Sequence, residues 1–122
     1  MVGHGPVDRS CLHCALARAV RAESGAFAGR GLTLTFARSD PVWLPGSGLR
    51  LYRGVRRLLR EACSVATGRD VKLSVVDLPG KSHVEVTVTV ATGKGSRVLS
   101  CAFARHARGT LAGGFAEVFE PV

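Results

Sequence analysis

The sequence predicts an α/β (α+β) fold: a two-layer sandwich in which a mixed, mostly antiparallel sheet is covered on one face by about three helices. Three observations carry that expectation. Val84, Val86, Val88 and Val90 alternate with polar residues, the period-2 signature of a half-buried strand. Leu51, Val55, Leu58, Leu59, Ala62 and Ala66 recur at helical spacing and form one apolar stripe. Helical and strand patterns also take turns along the 122 residues, with 46% apolar and 21% charged content, so the chain reads as one globular domain, without repeats.

The elements follow in order. Residues 1–8 hold two glycines and a proline and read as a lead-in. Residues 9–28 predict a helix, with Leu12, Leu16, Ala19, Val20 and Ala26 near helical spacing and Asp8 or Ser10 as N-cap. Gly29-Arg30-Gly31 stops it. Leu32, Leu34 and Phe36 then alternate with Thr33, Thr35 and Ala37 as a strand. Pro41 to Gly48 is turn-rich, with Val42-Trp43-Leu44 as a short edge strand between prolines. The longest helix spans Leu49 to Ala66 and ends at Thr67-Gly68. Val71, Leu73 and Val75 predict a strand, Pro79-Gly80-Lys81 a hairpin turn, and the valine run its partner. Gly93-Lys94-Gly95 breaks that strand. A third helix is expected from Ser96 to Arg108 with Gly109 as its C-cap, then a last strand within 110–119, bent at Gly113-Gly114.

Charge is the unusual property. Seventeen Lys+Arg face nine Asp+Glu, for a net charge of +8, and only Lys72, Lys81 and Lys94 are lysines. Arginine suits the holding of acidic partners in fixed geometry, and it is also what codon bias in a GC-rich genome produces. Arg50, Arg53, Arg56, Arg57 and Arg60 crowd the long helix; Arg50, Arg53, Arg57 and Arg60 fall on roughly one side, with Glu61 as their one nearby acid. That side is either a solvated surface or a contact surface for an acidic partner.

The order of parts resembles the ATP-binding domain of sensor histidine kinases. Residues Gly46-Ser47-Gly48-Leu49-Arg50-Leu51 through Leu58-Leu59-Arg60-Glu61-Ala62 are similar to the segment G-D-x-x-R-L-x-x-V-L-x-N-L-L-x-N-A. Ala91-Thr92-Gly93-Lys94-Gly95 stands where that family has D-x-G-x-G. Ala102-Phe103-Ala104-Arg105-His106-Ala107-Arg108-Gly109-Thr110-Leu111 resembles its passage from the last helix to a strand, and Arg30-Gly31-Leu32-Thr33-Leu34 its first strand. The resemblance covers about residues 30–119. It implies a degenerate histidine-kinase-like ATPase domain over 30–122, preceded by a docking or dimerising helix within 1–29, the whole forming one compact unit.

The departures bear on chemistry. By the resemblance, Glu61 replaces the Asn that ligates Mg²⁺, and Ala91 replaces the Asp that accepts from the adenine amino group. Val98-Leu99-Ser100-Cys101 replaces the second glycine motif, and the lid loop between the motifs shrinks to a residue or two. Glu61, Ala91, Gly93, Gly95 and Ser100 are thus the positions of a degraded pocket, and the expectation is no cofactor, no catalytic residue and no enzyme activity. His13 is followed by Cys14 and not by the acid that follows the family's phosphoacceptor His.

Cys11-Leu12-His13-Cys14 is a C-x-x-C with an embedded His; as a zinc site it lacks a second ligand pair, since Cys63, Cys101, His4, His83 and His106 are scattered. No preceding strand is read, which argues against a redox pair. Without an apolar run of ~20 residues or a secretion signal, the chain reads as cytoplasmic with reduced thiols. The functional expectation is a non-catalytic signalling or scaffold module of two-component type. It would act on an acidic protein such as a receiver domain through Arg50, Arg53, Arg57 and Arg60, with a second small-residue face on residues 9–28 (Leu12, Ala15, Ala19, Val20) for a homodimer. A basic nucleic-acid-binding domain is the alternative, and a weakly active ATPase or histidine phosphotransfer protein the third reading.

Overall fold

The valine alternation becomes the centre of the sheet. A computed structural model of the chain describes residues 9–37 and 39–106 and the backbone of 117–121. Its elements are β1 (Arg9–Cys11), α1 (Leu12–Gly29), β2 (Thr33–Phe36), β3 (Trp43–Pro45), α2 (Gly48–Val65), β4 (Asp70–Val76), β5 (His83–Thr92), β6 (Gly95–Ala104) and β7 (Glu117–Pro121). β2, β4, β5, β6 and β7 form one sheet in that order, while β1 and β3 pair separately. β2 runs parallel to β4, as the crossover through α2 requires, and every other pairing is antiparallel.

Cross-strand register sorts the side chains onto two faces. Val71, Val90 and Arg97 line up on one face, as do Leu73, Val88 and Leu99, then Val75, Val86 and Cys101. These rows point at the helices, and the valines of β5 are fully buried with Leu99, Cys101 and Phe103. Lys72, Thr89 and Val98 face the other way, with Ser74, Thr87 and Ser100. Among the described residues no helix covers that second face. The core is a single cluster drawn from both helices, the inner sheet face, Val42 and Leu44.

Each helix ends for a local reason. Cys11, in an extended conformation, caps α1 through its sulfur, which accepts from Cys14 N at 3.2 Å. Gly31 adopts φ 70° past the other end, and Leu32 N returns to Phe27 O at 2.9 Å. Ser47 caps α2, its Oγ accepting from Arg50 N at 3.2 Å. At the far end of α2 the Arg30 guanidinium donates to the carbonyls of Cys63 and Ala66.

Three expectations need correction. The expected third helix over Ser96–Arg108 is a strand as far as Ala104: β5 passes through Gly93-Lys94 directly into β6, with Thr92 opposite Gly95. Two-residue hairpin turns match the right-handed twist of the flanking strands, and Leu99, Cys101 and Phe103 alternate with Val98, Ser100 and Ala102 at strand period. Among the described residues two helices therefore cover the sheet where about three were expected. The first helix begins at Leu12, because residues 9–11 pair with Trp43–Pro45. Ala26 is exposed, and Phe27 takes the buried position beside it. Of the last strand, expected within 110–119, the described part is β7 (Glu117–Pro121); Asp8, Gly109 and the Gly113-Gly114 bend lie outside the described residues. No described helix is long and apolar enough to cross a membrane.

Candidate functional site

The positions that the kinase resemblance marks as a pocket are spread over α2, β5, the β5–β6 turn and β6. Glu61 is exposed on α2. Ser100 sits mid-β6 opposite Thr87, on the sheet face turned away from α2. Gly93 begins the β5–β6 turn, and Gly95, at φ 128°, leaves it. Ala91 is held by its own backbone: its carbonyl accepts from Thr67 N at 3.0 Å, Gly68 N at 3.1 Å and Thr67 Oγ1 at 3.4 Å. Gly68 lies so close that a Cβ built there would be 2.4 Å from Ala91 Cβ. The end of α2 is thereby sealed against the end of β5 by main chain. None of the five positions lines either of two small surface concavities, one of about 150 Å³ (Val76, Leu78, Lys81, His83, Glu85) and one of about 220 Å³ (Ser39, Asp40, Val42, Val75, Asp77). Both are smaller than the ~300–1,000 Å³ typical of small-molecule sites.

Polar convergence occurs instead between the helices. Glu23 of α1 is 6% exposed, the one buried charged residue among those described. Its Oε2 accepts from Arg56 Nε at 2.6 Å and from Arg60 Nε at 3.3 Å. Arg56 also donates to Tyr52 Oη at 3.2 Å, and the Arg18 guanidinium lies 4.9 Å from the Tyr52 ring centre. The bond to the Glu23 carboxylate holds the Arg56 guanidinium above the usual arginine range. A buried carboxylate is tolerable because two guanidiniums and their hydrogen bonds meet it. Two statements about the arginine helix are thereby corrected: Glu61 is not its only nearby acid, and Arg60 is engaged by α1. Arg50, Arg53, Arg57 and Arg60 are all exposed on α2.

Leu12, Ala15 and Ala19 are 0–3% exposed inside this chain's own core, and Val20 packs against it. The second small-residue face read on residues 9–28 is therefore occupied from within. His13 is half-buried, 5.7 Å from the Phe36 ring; Val42 N donates to its Nδ1 at 3.3 Å, and its Nε2 lies 2.9 Å from Ser39 Oγ. Through Val42 and Ser39 the ring clips the 39–42 segment onto α1. Among the described residues no three His, Cys, Asp or Glu gather as a metal site. Cys63 and Cys101 are buried in the core, while Cys11 and Cys14 stand at the β1–α1 junction. The C-x-x-C motif does follow a strand.

Glu23 was readable in the sequence. Leu12, Leu16, Ala19, Glu23 and Phe27 share one helical stripe, and an acid inside an apolar stripe of an arginine-rich chain signals a buried ion pair. The Thr67-Gly68-Ala91 seal had no such signal, since its bonds are made by main chain.

Comparison with known proteins agrees with the fold. No protein-family model matches the sequence, and no curated protein matches it. Solved structures do. The catalytic domain of histidine kinase ThkA superposes with a TM-score of 0.59 at 14% identity, over 72% of this chain and 60% of that one. The mycobacterial sensor histidine kinase MprB gives 0.58 at 15% over 71% and 56%, and the Acinetobacter baumannii histidine kinase AdeS 0.54 at 12% over 72% and 44%. The match spans less than two thirds of each kinase chain. The chain is therefore similar to histidine kinase catalytic domains in fold, a histidine-kinase-like ATPase fold, and at these identities in fold alone.

Proposed function

We propose that this chain is a non-catalytic interaction module of two-component type that uses a histidine-kinase-like ATPase fold as a scaffold. The observation that carries the reading is the β5–β6 connection. Where the resemblance sets a lid loop, a second glycine motif and a third helix, the chain makes a two-residue turn and continues as strand. Phosphate binding at a helix N-terminus needs amides presented by a loop entering a helix. Val98, Leu99 and Ser100 are strand residues whose backbone groups belong to the sheet.

The contact surface in this reading is the exposed side of α2, with Arg50, Arg53 and Arg57 offered to an acidic protein surface such as the phosphoacceptor end of a receiver domain. Charges of this kind raise association rates and make them salt-sensitive. Two measurements test the proposal. Calorimetry with ATP and Mg²⁺ is expected to give no saturable heat below millimolar concentration; one-to-one binding at micromolar concentration would overturn it. The Arg53→Glu/Arg57→Glu variant is expected to keep the thermal unfolding midpoint and to lose at least ten-fold in affinity for a receiver domain that the unmodified chain binds. If the unmodified chain instead binds duplex nucleic acid, with affinity falling along a slope of about −0.9 per phosphate contacted, the nucleic-acid reading replaces this one.

A further inference from the structure

The β1–α1 junction holds two thiols that neither the fold comparison nor the proposed function uses. Cys11 is the last residue of β1 and the N-cap of α1, and Cys14 lies one turn on. Residues three apart at a helix start are neighbours, with Cα atoms inside the ~4.4–6.8 Å span that a disulfide bridges. The Cys11 sulfur is already turned into that first turn, accepting from Cys14 N at 3.2 Å. A hydrogen bond to Cys11, followed by desolvation, holds the Cys14 thiol above the usual thiol range. Cys14 is exposed and Cys11 half-buried, so solvent reaches the pair, whereas Cys63 and Cys101 are buried in the core.

We propose that Cys11 and Cys14 form a reversible dithiol–disulfide site at the strand-to-helix junction, exchanging with low-molecular-weight disulfides of the glutathione class. The Cys11 thiolate attacks one sulfur of the small disulfide, forming a mixed disulfide and releasing one thiolate, which takes up a proton. Cys14 then gives its proton to water, and its sulfur attacks the Cys11 sulfur. The Cys11–Cys14 bond forms, the bond to the small thiol breaks, and a second small thiol leaves. Two protein thiols are oxidised and one small disulfide is reduced to two thiols. The roles follow from the geometry. Cys11 caps the end of α1 that carries the positive helix dipole and its sulfur accepts the Cys14 N–H, while Cys14, exposed one turn on, is placed to attack the Cys11 sulfur.

Trp43 supplies a local reporter. It is the single tryptophan and stands directly opposite Cys11 in the β1–β3 pair, and directly opposed side chains share a face. A disulfide formed beside an indole quenches its emission.

The test incubates the full chain in buffers of graded oxidised and reduced glutathione. The expected results are loss of two thiols per chain, a mass lower by two hydrogens, a Cys11–Cys14 crosslinked peptide, and a fall in Trp43 emission reversed by excess reduced glutathione. Cys14→Ser is expected to stop at a glutathione adduct on Cys11, and Cys11→Ser to form no intramolecular bond and to show no such fall. Oxidation confined to Cys63, Cys101 or chain-to-chain disulfides overturns the proposal, as does a Cys14→Ser variant that gathers no adduct at Cys11. Unfolding midpoints of both variants, expected to match the unmodified chain, separate lost chemistry from lost fold.

Discussion

Between α1 and α2, four side chains from two helices meet one another: Glu23 takes Arg56 and Arg60, and Tyr52 takes a bond from Arg56. At the tip of β5 the end of α2 is fastened to Ala91 by two backbone amides and one threonine hydroxyl. The first region depends on side-chain charge and the second on how little volume Gly68 occupies. In the kinase resemblance the tip is where polar side chains would meet a nucleotide. Here the tip is closed by backbone, and buried charge is used to join the helices.

The largest effect is expected from breaking the seam. Glu23→Ala leaves two guanidiniums facing an apolar interface, and removing one partner of a buried pair costs about 3–5 kcal/mol. The value belongs near ~3 kcal/mol, because the Arg60 side chain is 60% exposed and water can reach it. Urea unfolding monitored by far-UV circular dichroism measures this, and a loss below ~1 kcal/mol would mean the seam is no anchor.

Breaking the tip is expected to cost somewhat less. Gly68→Ala puts a methyl group 2.4 Å from Ala91 Cβ, and overpacking of that kind costs ~1–3 kcal/mol. Ala91→Gly in the same chain removes the clash and should restore most of the loss, whereas Ala91→Gly paired with Glu23→Ala should restore none. That contrast, read as a double-mutant cycle, tests whether the two regions are independent.

The smallest effect sharpens the comparison from the other side. Ala91→Asp supplies the carboxylate that the kinase resemblance calls for, yet the lid loop and second glycine motif stay absent. ATP titration of this variant is expected to remain flat up to millimolar concentration. Saturable binding would show that the tip is one substitution away from a nucleotide site.

The sequence made the sheet's centre and α2 legible because their apolar periods are undisturbed: every residue of the predicted α2 stripe is buried, from Leu51 to Ala66. It misled over residues 96–104, where likeness to a helix-to-strand passage outweighed the period-2 alternation of Leu99, Cys101 and Phe103. β1 was hidden because three residues carry no readable period and its partner lies more than thirty positions on. At the candidate site, the exposed arginines were legible individually, but which of them reach Glu23 depends on how α1 lies across α2. That angle is a tertiary property that no spacing within one helix encodes.

Arg30 has a consequence for how the chain folds. α2 ends without a basic residue in its last turn, and its C-cap, Ala66, is extended. The donors that satisfy the carbonyls of Cys63 and Ala66 come from a residue over thirty positions earlier, just past α1. The last turn of α2 is therefore completed by a non-local contact, whose loop-closure entropy falls due before the turn is secure. α1 and α2 are then expected to become ordered together in the folding transition state. On that expectation, the division of the chain at residue 29 is a boundary in sequence and not between folding units.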